Sequence, residues 1–339
     1  MVKEYVKDME YKELNCGVKI QVLGIGTWKM GAGMTADKTH DKENVIAIKT
    51  AIKLGMTHID TAELYGNGHA EELVGEAIQE FKREELFITT KVKSENLRYD
   101  YLISAAKRSL KRLRTSYVDL YLIHSPNPDI PIEETMKAMD YLVENKLTRF
   151  IGVSNFSVEQ IEEAQKHAKN KIVANQIEYN LLTRNRGQFT NDMESEIIPY
   201  CQKNGIMVIA YRPLAKGELA KPGIRLLDEL SEKYGKTQAQ VALNWLISKP
   251  NIVTIPKAVR IAHMKENLGA IGWRLSKEDM RRLDYDFSLS SSLVFMDSQT
   301  TLKAAQAPAA FSFLNAQSAE QFSKEWHMLQ FQVYRLWFP

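Results

Sequence analysis

Four side chains in the N-terminal half of the sequence have the types needed to act together on one substrate atom. Asp60 ends the run THID, Lys91 stands near the end of LFITTKV and His124 ends YVDLYLIH. Tyr65 follows Asp60 in the stretch DTAELYGNG. A lysine beside an aspartate forms an ion pair that is costly to bury without a purpose. Its positive charge favours a neighbouring phenolate, so the Tyr65 pKa is expected to be drawn down from about 10. A phenol so placed donates a proton to a carbonyl oxygen as hydride reaches the carbon. A neutral His124 would orient that oxygen and steady its developing charge. Taken singly, each residue has a plainer reading: a helix cap, a packed ring, a rim cation, a satisfied interior histidine.

Elements able to gather these residues are visible in the hydrophobic pattern. Eight short, largely apolar runs are expected to be strands: residues 20–26, 57–60, 86–92, 117–124, 149–154, 173–179, 206–211 and 252–256. Continuous apolar character suits strands buried on both faces of a parallel sheet. Helical periodicity fills the gaps, as in residues 44–55, 101–114 and 132–145. Gly55 is placed to end the first of these helices. Ser157, with Gln160 three residues on, reads as an N-cap. Alternation of this kind predicts an α/β fold, a (β/α)8 TIM barrel whose active site collects at the C-terminal ends of the strands. A GxG occurs at Gly24–Gly26, but it continues as Thr27-Trp28, so a Rossmann fingerprint is not completed.

The bulk numbers agree with an ordinary globular enzyme. The chain has 339 residues, 44% hydrophobic and 26% charged, with a formal net charge of +3. So small an excess argues against nucleic acid or a membrane surface as the main partner. Cys16 and Cys201 have no CxxC spacing, and no His, Cys, Asp or Glu cluster has metal-ligand spacing, so no metal is expected. With no apolar leader at the N-terminus and no run long enough for a membrane helix, a cytoplasmic location is the expectation.

Eight blocks together resemble the aldo-keto reductase superfamily: GIGTWKM, HIDTAELYGNG, ITTKV, DLYLIHSPNP, FIGVSNF, NQIEYN, AYRPLAKG and IPKAVRIAHMKEN. They occur in order and span residues of about 10 to 285. The resemblance implies an N-terminal β-hairpin and a catalytic tetrad of Asp60, Tyr65, Lys91 and His124, with Tyr65 as general acid. It implies NADP(H) as cofactor and a small carbonyl compound as substrate. Ser154, Asn155 and Gln176 would hold the nicotinamide carboxamide, with Tyr211 stacked on the ring. Thr27 and Trp28 would meet cofactor and substrate, and Leu214, Ala215, Lys216 and Gly217 would lie over the pyrophosphate. Lys257, Ala258 and Arg260 would meet the 2′-phosphate. Gly26, Asp60, Arg212, Ile255, His263, Glu266 and Asn267 complete the implied cofactor contacts. Two departures, Ala258 for a frequent serine and His263 for a frequent arginine, leave room for NAD(H) as well. Trp28, Leu64 and Tyr65 would wall the substrate pocket beside His124. Ser125 stands where several members carry an aromatic residue, and its smaller side chain should widen that pocket.

Residues 1–286 are thus expected to form the barrel and 287–339 a C-terminal extension of unknown role. From Phe287 onward only six Asp, Glu, Lys or Arg residues occur, and the run Ser288–Leu293 reads as a linker. The tail is faintly similar to part of the nitrous-oxide-reductase accessory (copper-chaperone) family, without a visible metal motif. A monomer or weak homo-oligomer is expected. A rival from another class is a nicotinamide-binding regulatory barrel of the kind that accompanies potassium channels, and the intact tetrad argues against it.

Overall fold

The computed structural model describes residues 9–14, 17, 19–31 and 33–290, with side chains through residue 287. A short hairpin, β1 (Tyr11–Glu13) and β2 (Lys19–Gln21), comes first. Eight parallel strands follow: β3 (Ile25–Gly26), β4 (His58–Asp60), β5 (Phe87–Val92), β6 (Val118–Ile123), β7 (Thr148–Ser154), β8 (Ile172–Glu178), β9 (Met207–Tyr211) and β10 (Ile252–Thr254). Each pairs with its sequence neighbours. A parallel bridge between Leu23 and Thr254 joins last strand to first. Two further bonds reinforce it, Gly24 N–H to the Thr254 carbonyl (2.8 Å) and Thr254 N–H to the Val22 carbonyl (2.9 Å). The sheet therefore closes on itself, which leaves no edge to protect.

The expected first strand, residues 20–26, is in fact two elements. Its first half belongs to the hairpin and only Ile25–Gly26 to the barrel. An apolar run carries no mark of where a chain changes sheets. Gly26 sits at the seam: a Cβ there would lie 2.6 Å from the Ile255 carbonyl oxygen, so only glycine admits this closeness.

Ten helices of seven residues or more surround the strands among the described residues: α1 (Asp41–Lys53), α2 (His69–Ala77), α3 (Tyr99–Leu113), α4 (Ile132–Glu144), α5 (Val158–His167), α6 (Ile198–Asn204), α7 (Arg225–Tyr234), α8 (Gln238–Ser248), α9 (Ile261–Leu268) and α10 (Lys277–Ser290). Ser157 caps α5 in a complete capping box with Gln160, as its sequence predicts, and Thr237 with Gln240 does the same for α8. Two helices rather than one, α7 and α8, separate β9 from β10. α10 runs to Ser290, into the serine-rich run read as a linker. The tail beyond it, for which the likeness to the copper-chaperone family was noted, lies outside the described residues. Among the described residues, no helix is long and apolar enough to cross a membrane.

Inside the barrel, alternate residues of the strands (Leu120 and Leu122, Met207 and Ile209, Val253 and Ile255) form one apolar cluster with Leu14, Ile20 and Phe87. Period-two alternation sends these side chains inward. Because Phe87 opens β5, the hairpin residues close the end of the barrel where the strands begin. Lys12 fastens that plug: its ammonium donates to the carbonyls of Ile247 (2.9 Å), Lys249 (2.5 Å) and Ile252 (2.6 Å). Cations are favoured at such helix C-termini. The opposite end, where the strands finish, is left to the polar residues.

Candidate active site

Asp60 ends β4 and Lys91 lies near the end of β5, at neighbouring strand ends. Their side chains are 1% and 0% exposed and bond at 2.7 Å. The Lys91 ammonium also donates to the Thr61 carbonyl (2.8 Å) and reaches the Tyr65 hydroxyl at 3.3 Å. Gln176 of β8 donates from Nε2 to the second Asp60 oxygen at 2.8 Å, so both carboxylate oxygens are satisfied. Burial disfavours the Lys91 ammonium, but Asp60 and Tyr65 outweigh it and hold its pKa above the ordinary lysine value.

Tyr65 is brought to this pair by a turn that the sequence YGNG permits. Gly66, Asn67 and Gly68 have φ of 57°, 53° and 94°, a left-handed run suited to glycine and asparagine. The expectation that its pKa is drawn down is corrected here. Burial raises it above the ordinary tyrosine value, and the pull of Lys91 only partly offsets this. The phenol is therefore held protonated, as a donor. His124, one residue past β6, faces the Tyr65 ring edge-on with centroids 5.7 Å apart. Burial, and then Lys91, push its pKa down to about 3, so the imidazole is neutral at ordinary pH. Among the described residues its Nδ1 is buried without a partner.

A polar shelf adjoins the four. Ser154 Oγ donates to the Gln176 carbonyl (2.9 Å), and Asn155 Nδ2 donates to Ser154 Oγ (3.1 Å) and the His124 carbonyl (3.0 Å). Tyr211, at the end of β9, donates from Oη to Asn155 Oδ1 at 3.0 Å. Asn155 holds a left-handed φ of 61°, which an asparagine tolerates. Ser154, Asn155, Gln176 and Tyr211, read from three separate motifs, are thus one connected set. Thr27 Oγ1 donates to the Asp60 carbonyl at 3.0 Å and joins the first loop to it. Trp28 meets Tyr65 edge-on with centroids 4.9 Å apart, and both pack with Leu64, Ala62 and Ala70 as a small apolar wall. Ser125 is half-buried beside His124.

Farther out lie the expected phosphate residues. Arg260 is the residue before α9, Ala258 and Asn267 are buried, and His263 Nδ1 lies 3.3 Å from Glu266. The Lys257 ammonium is pushed below its usual pKa by burial and then by nearby Lys29. Neither lysine nor Arg260 has a carboxylate partner among the described residues. Lys257 and Lys29, close enough to repel, form a positive spot that an anion would relieve. Lys216 and Gly217 lie in a turn with φ of 59° and 101°. Leu214 precedes that turn, while Ile255 is buried after β10. The Arg212 guanidinium is held by Glu178 (3.0 Å) and Gln188 (2.7 Å), which makes it a brace behind Tyr211.

The sequence reading missed Lys29 and Thr190. Lys29 immediately follows Trp28 in the loop after β3, and only the fold brings it near Lys257. Thr190 reaches Asn155 Oδ1 at 3.4 Å from a loop with no motif, and only the fold brings it there. Among the described residues no cluster of His, Cys, Asp or Glu has metal-binding geometry.

A closed eight-stranded α/β barrel with these groups at its strand ends is a barrel oxidoreductase. The sequence model of the aldo/keto reductase family matches residues 22–285, and the chain belongs to that family. It is 36% identical over 271 residues to methylglyoxal reductase YeaE of Escherichia coli, covering 79% of this chain and 91% of that protein. Among solved structures it is similar to the thermostable aldo-keto reductase Tm1743 in complex with epalrestat. There the TM-score is 0.77 and the identity 48%, over 81% of this chain and 99% of that one. An aldo-keto reductase of Klebsiella pneumoniae in complex with NADPH superposes with a TM-score of 0.74 at 32% identity, covering 82% and 95%.

Proposed function

We propose that the protein reduces small aldehydes and ketones to alcohols with NADPH, 2-oxoaldehydes such as methylglyoxal among them. The observation that carries this reading is the buried Lys91 ammonium bonded to both Asp60 and the protonated Tyr65 hydroxyl. When bound, NADPH supplies the hydride that reduces the carbonyl carbon, and it leaves as NADP+. Tyr65 gives its proton to the carbonyl oxygen, and the phenolate left behind is stabilised by Lys91 until solvent returns a proton. Neutral His124 donates a hydrogen bond to the same oxygen without competing for the Tyr65 proton. Asp60 keeps Lys91 charged and in place.

Ser154, Asn155 and Gln176 fit the nicotinamide carboxamide, and Tyr211 fits its ring. Lys257 and Arg260, with Lys29 added to the set, fit the phosphates. The unpartnered cations favour NADP(H) over NAD(H), since a 2′-phosphate offers them a charge that NAD(H) lacks. Residues 1–286 act as the catalytic unit on this reading. Relatives with similar architecture act on small carbonyls, as the name methylglyoxal reductase states for one of them. The apolar wall of Trp28, Leu64 and Tyr65 suits a short substrate here too.

The test is loss of reduced-nicotinamide absorbance with NADPH and a panel of aldehydes, ketones and 2-oxoaldehydes. Tyr65→Phe is expected to lower turnover by about 10²- to 10⁴-fold while leaving NADPH binding unchanged. Undiminished turnover in that variant would remove Tyr65 as the proton donor. Tight NADPH binding with no turnover on any carbonyl would instead favour a regulatory barrel.

A further inference from the structure

His69 opens α2, directly after the turn that presents Tyr65. Its side chain is 7% exposed, and both ring nitrogens face carboxylates: Nε2 lies 2.8 Å from Asp41 Oδ1 and Nδ1 lies 2.7 Å from Glu72 Oε2. Ionised carboxylates only accept hydrogen bonds, and a neutral imidazole has one N–H. Only the imidazolium satisfies both contacts. Asp41 is the first residue of α1, so the ring links two helix starts.

The third link is the loop after Trp28. A Cβ on Gly31 would lie 2.8 Å from His69 Cδ2, so the ring packs directly on that loop. Beside it the Gly66 N–H donates to the Gly33 carbonyl at 2.7 Å, tying the Tyr65 turn to the same loop. Trp28 and Tyr65, in edge contact at the active site, are thus mounted on two segments that meet at His69.

We infer that His69 is a positioning residue: its imidazolium, gripped by Asp41 and Glu72, clamps the Tyr65 turn to the Trp28 loop and so sets the proton donor. The charged groups around it agree. Asp37, Asp41 and Glu72 face it, while His40 interacts with Asp37. The nearby Arg112 of α3, packed against Gly68, is neutralised by buried Glu71. Burial opposes the charged ring, but the two carboxylates outweigh it and raise the pKa above 6.5. A raised pKa means that the clamp is complete below the ordinary histidine value and is lost as pH rises through the folded value.

This inference rests on Tyr65 being the proton donor, so its test includes a readout independent of turnover. In the full chain with NADPH bound, the His69 ring nitrogens, assigned with His69→Gln, are titrated by NMR together with ring-labelled tyrosine, assigned with Tyr65→Phe. The His69 signal is expected to titrate above 6.5, with the Tyr65 ring signal moving at the same midpoint. Glu72→Gln, at a half-exposed position, should shift both midpoints to lower pH. With methylglyoxal as substrate, kcat should fall in an alkaline limb at that midpoint, by up to about a hundredfold as the donor is misplaced. In His69→Gln the limb should vanish. A His69 midpoint at or below 6.5, a Tyr65 signal that ignores it, or an alkaline limb unmoved by Glu72→Gln would overturn the inference. Absent turnover with coupled His69 and Tyr65 titrations would count against the reductase reading and leave the clamp standing.

Discussion

Replacing Lys91 by methionine tests the centre of the site most directly. The substitution keeps much of the side-chain length but strands the Asp60 carboxylate, 1% exposed, with Gln176 as its remaining side-chain donor. Removing one partner of a buried ion pair typically costs about 3–5 kcal/mol, because the other charge is left uncompensated. Lys91→Met is therefore expected to lose about that much stability, read as the shift of the urea midpoint multiplied by the m-value. Asp60→Asn on top of it removes the stranded charge, so the double variant should regain a large part of the loss. The deficit should also depend on pH. Without Lys91 the Asp60 pKa rises further, so the folded state takes up a proton more readily than the unfolded state. The deficit then shrinks as pH is lowered and grows as pH rises through the ordinary carboxylate range. Turnover should fall in both variants, since neither stabilises a Tyr65 phenolate. A Lys91→Met protein as stable as the wild type would refute the reasoning. So would a double variant no more stable than the single one.

Other consequences follow from the same geometry. Gly26→Ala places a Cβ 2.6 Å from a backbone oxygen at the barrel seam and should cost about 1–3 kcal/mol, measured by chemical unfolding. Lys257→Ala should weaken NADPH binding about tenfold or more while changing NADH little, as titration calorimetry at fixed salt would show; an equal loss for both would move the phosphate site elsewhere. His58 and His124 both have folded pKa values pushed down to about 3 by burial, against 6.5 for an ordinary histidine. The unfolded chain therefore binds protons first, and stability should fall as pH is lowered from about 6.5 toward 3, visible as a declining urea midpoint. Ser157→Ala breaks the capping box of α5 and should cost about 0.5–2 kcal/mol, again read from the urea midpoint.

The alternation of strands and helices was legible because burial on both faces of a parallel strand leaves a continuous apolar run. Asp60, Lys91 and His124 were legible because they stand at or near the ends of such runs, and Tyr65 because it follows Asp60 in the next loop. Ser154, Gln176 and Tyr211 were put forward only by the family resemblance, and the fold sets each near the end of its strand. The split of residues 20–26 could not be read, since both halves are apolar and only the partner strand distinguishes them. Nor could the end of α10, where a serine-rich run reads as a linker until its backbone is seen in a helix.

Residue types and their order along the chain determined the barrel and the N-cap of α5 at Ser157, and they put forward the side chains proposed for the chemistry. They did not determine the electrostatic state of the site. From the sequence, Lys91 beside Tyr65 argued for a lowered phenol pKa, yet in the folded protein burial outweighs the ammonium and keeps Tyr65 protonated. The reason is that pairing of charges is written in residue identity, whereas desolvation depends on every atom that excludes water. The same holds for Thr190, for Lys29 beside Lys257, and for His69 between Asp41 and Glu72. Each is an ordinary polar residue in the sequence, and only closure of the chain supplies the neighbours that give it a role.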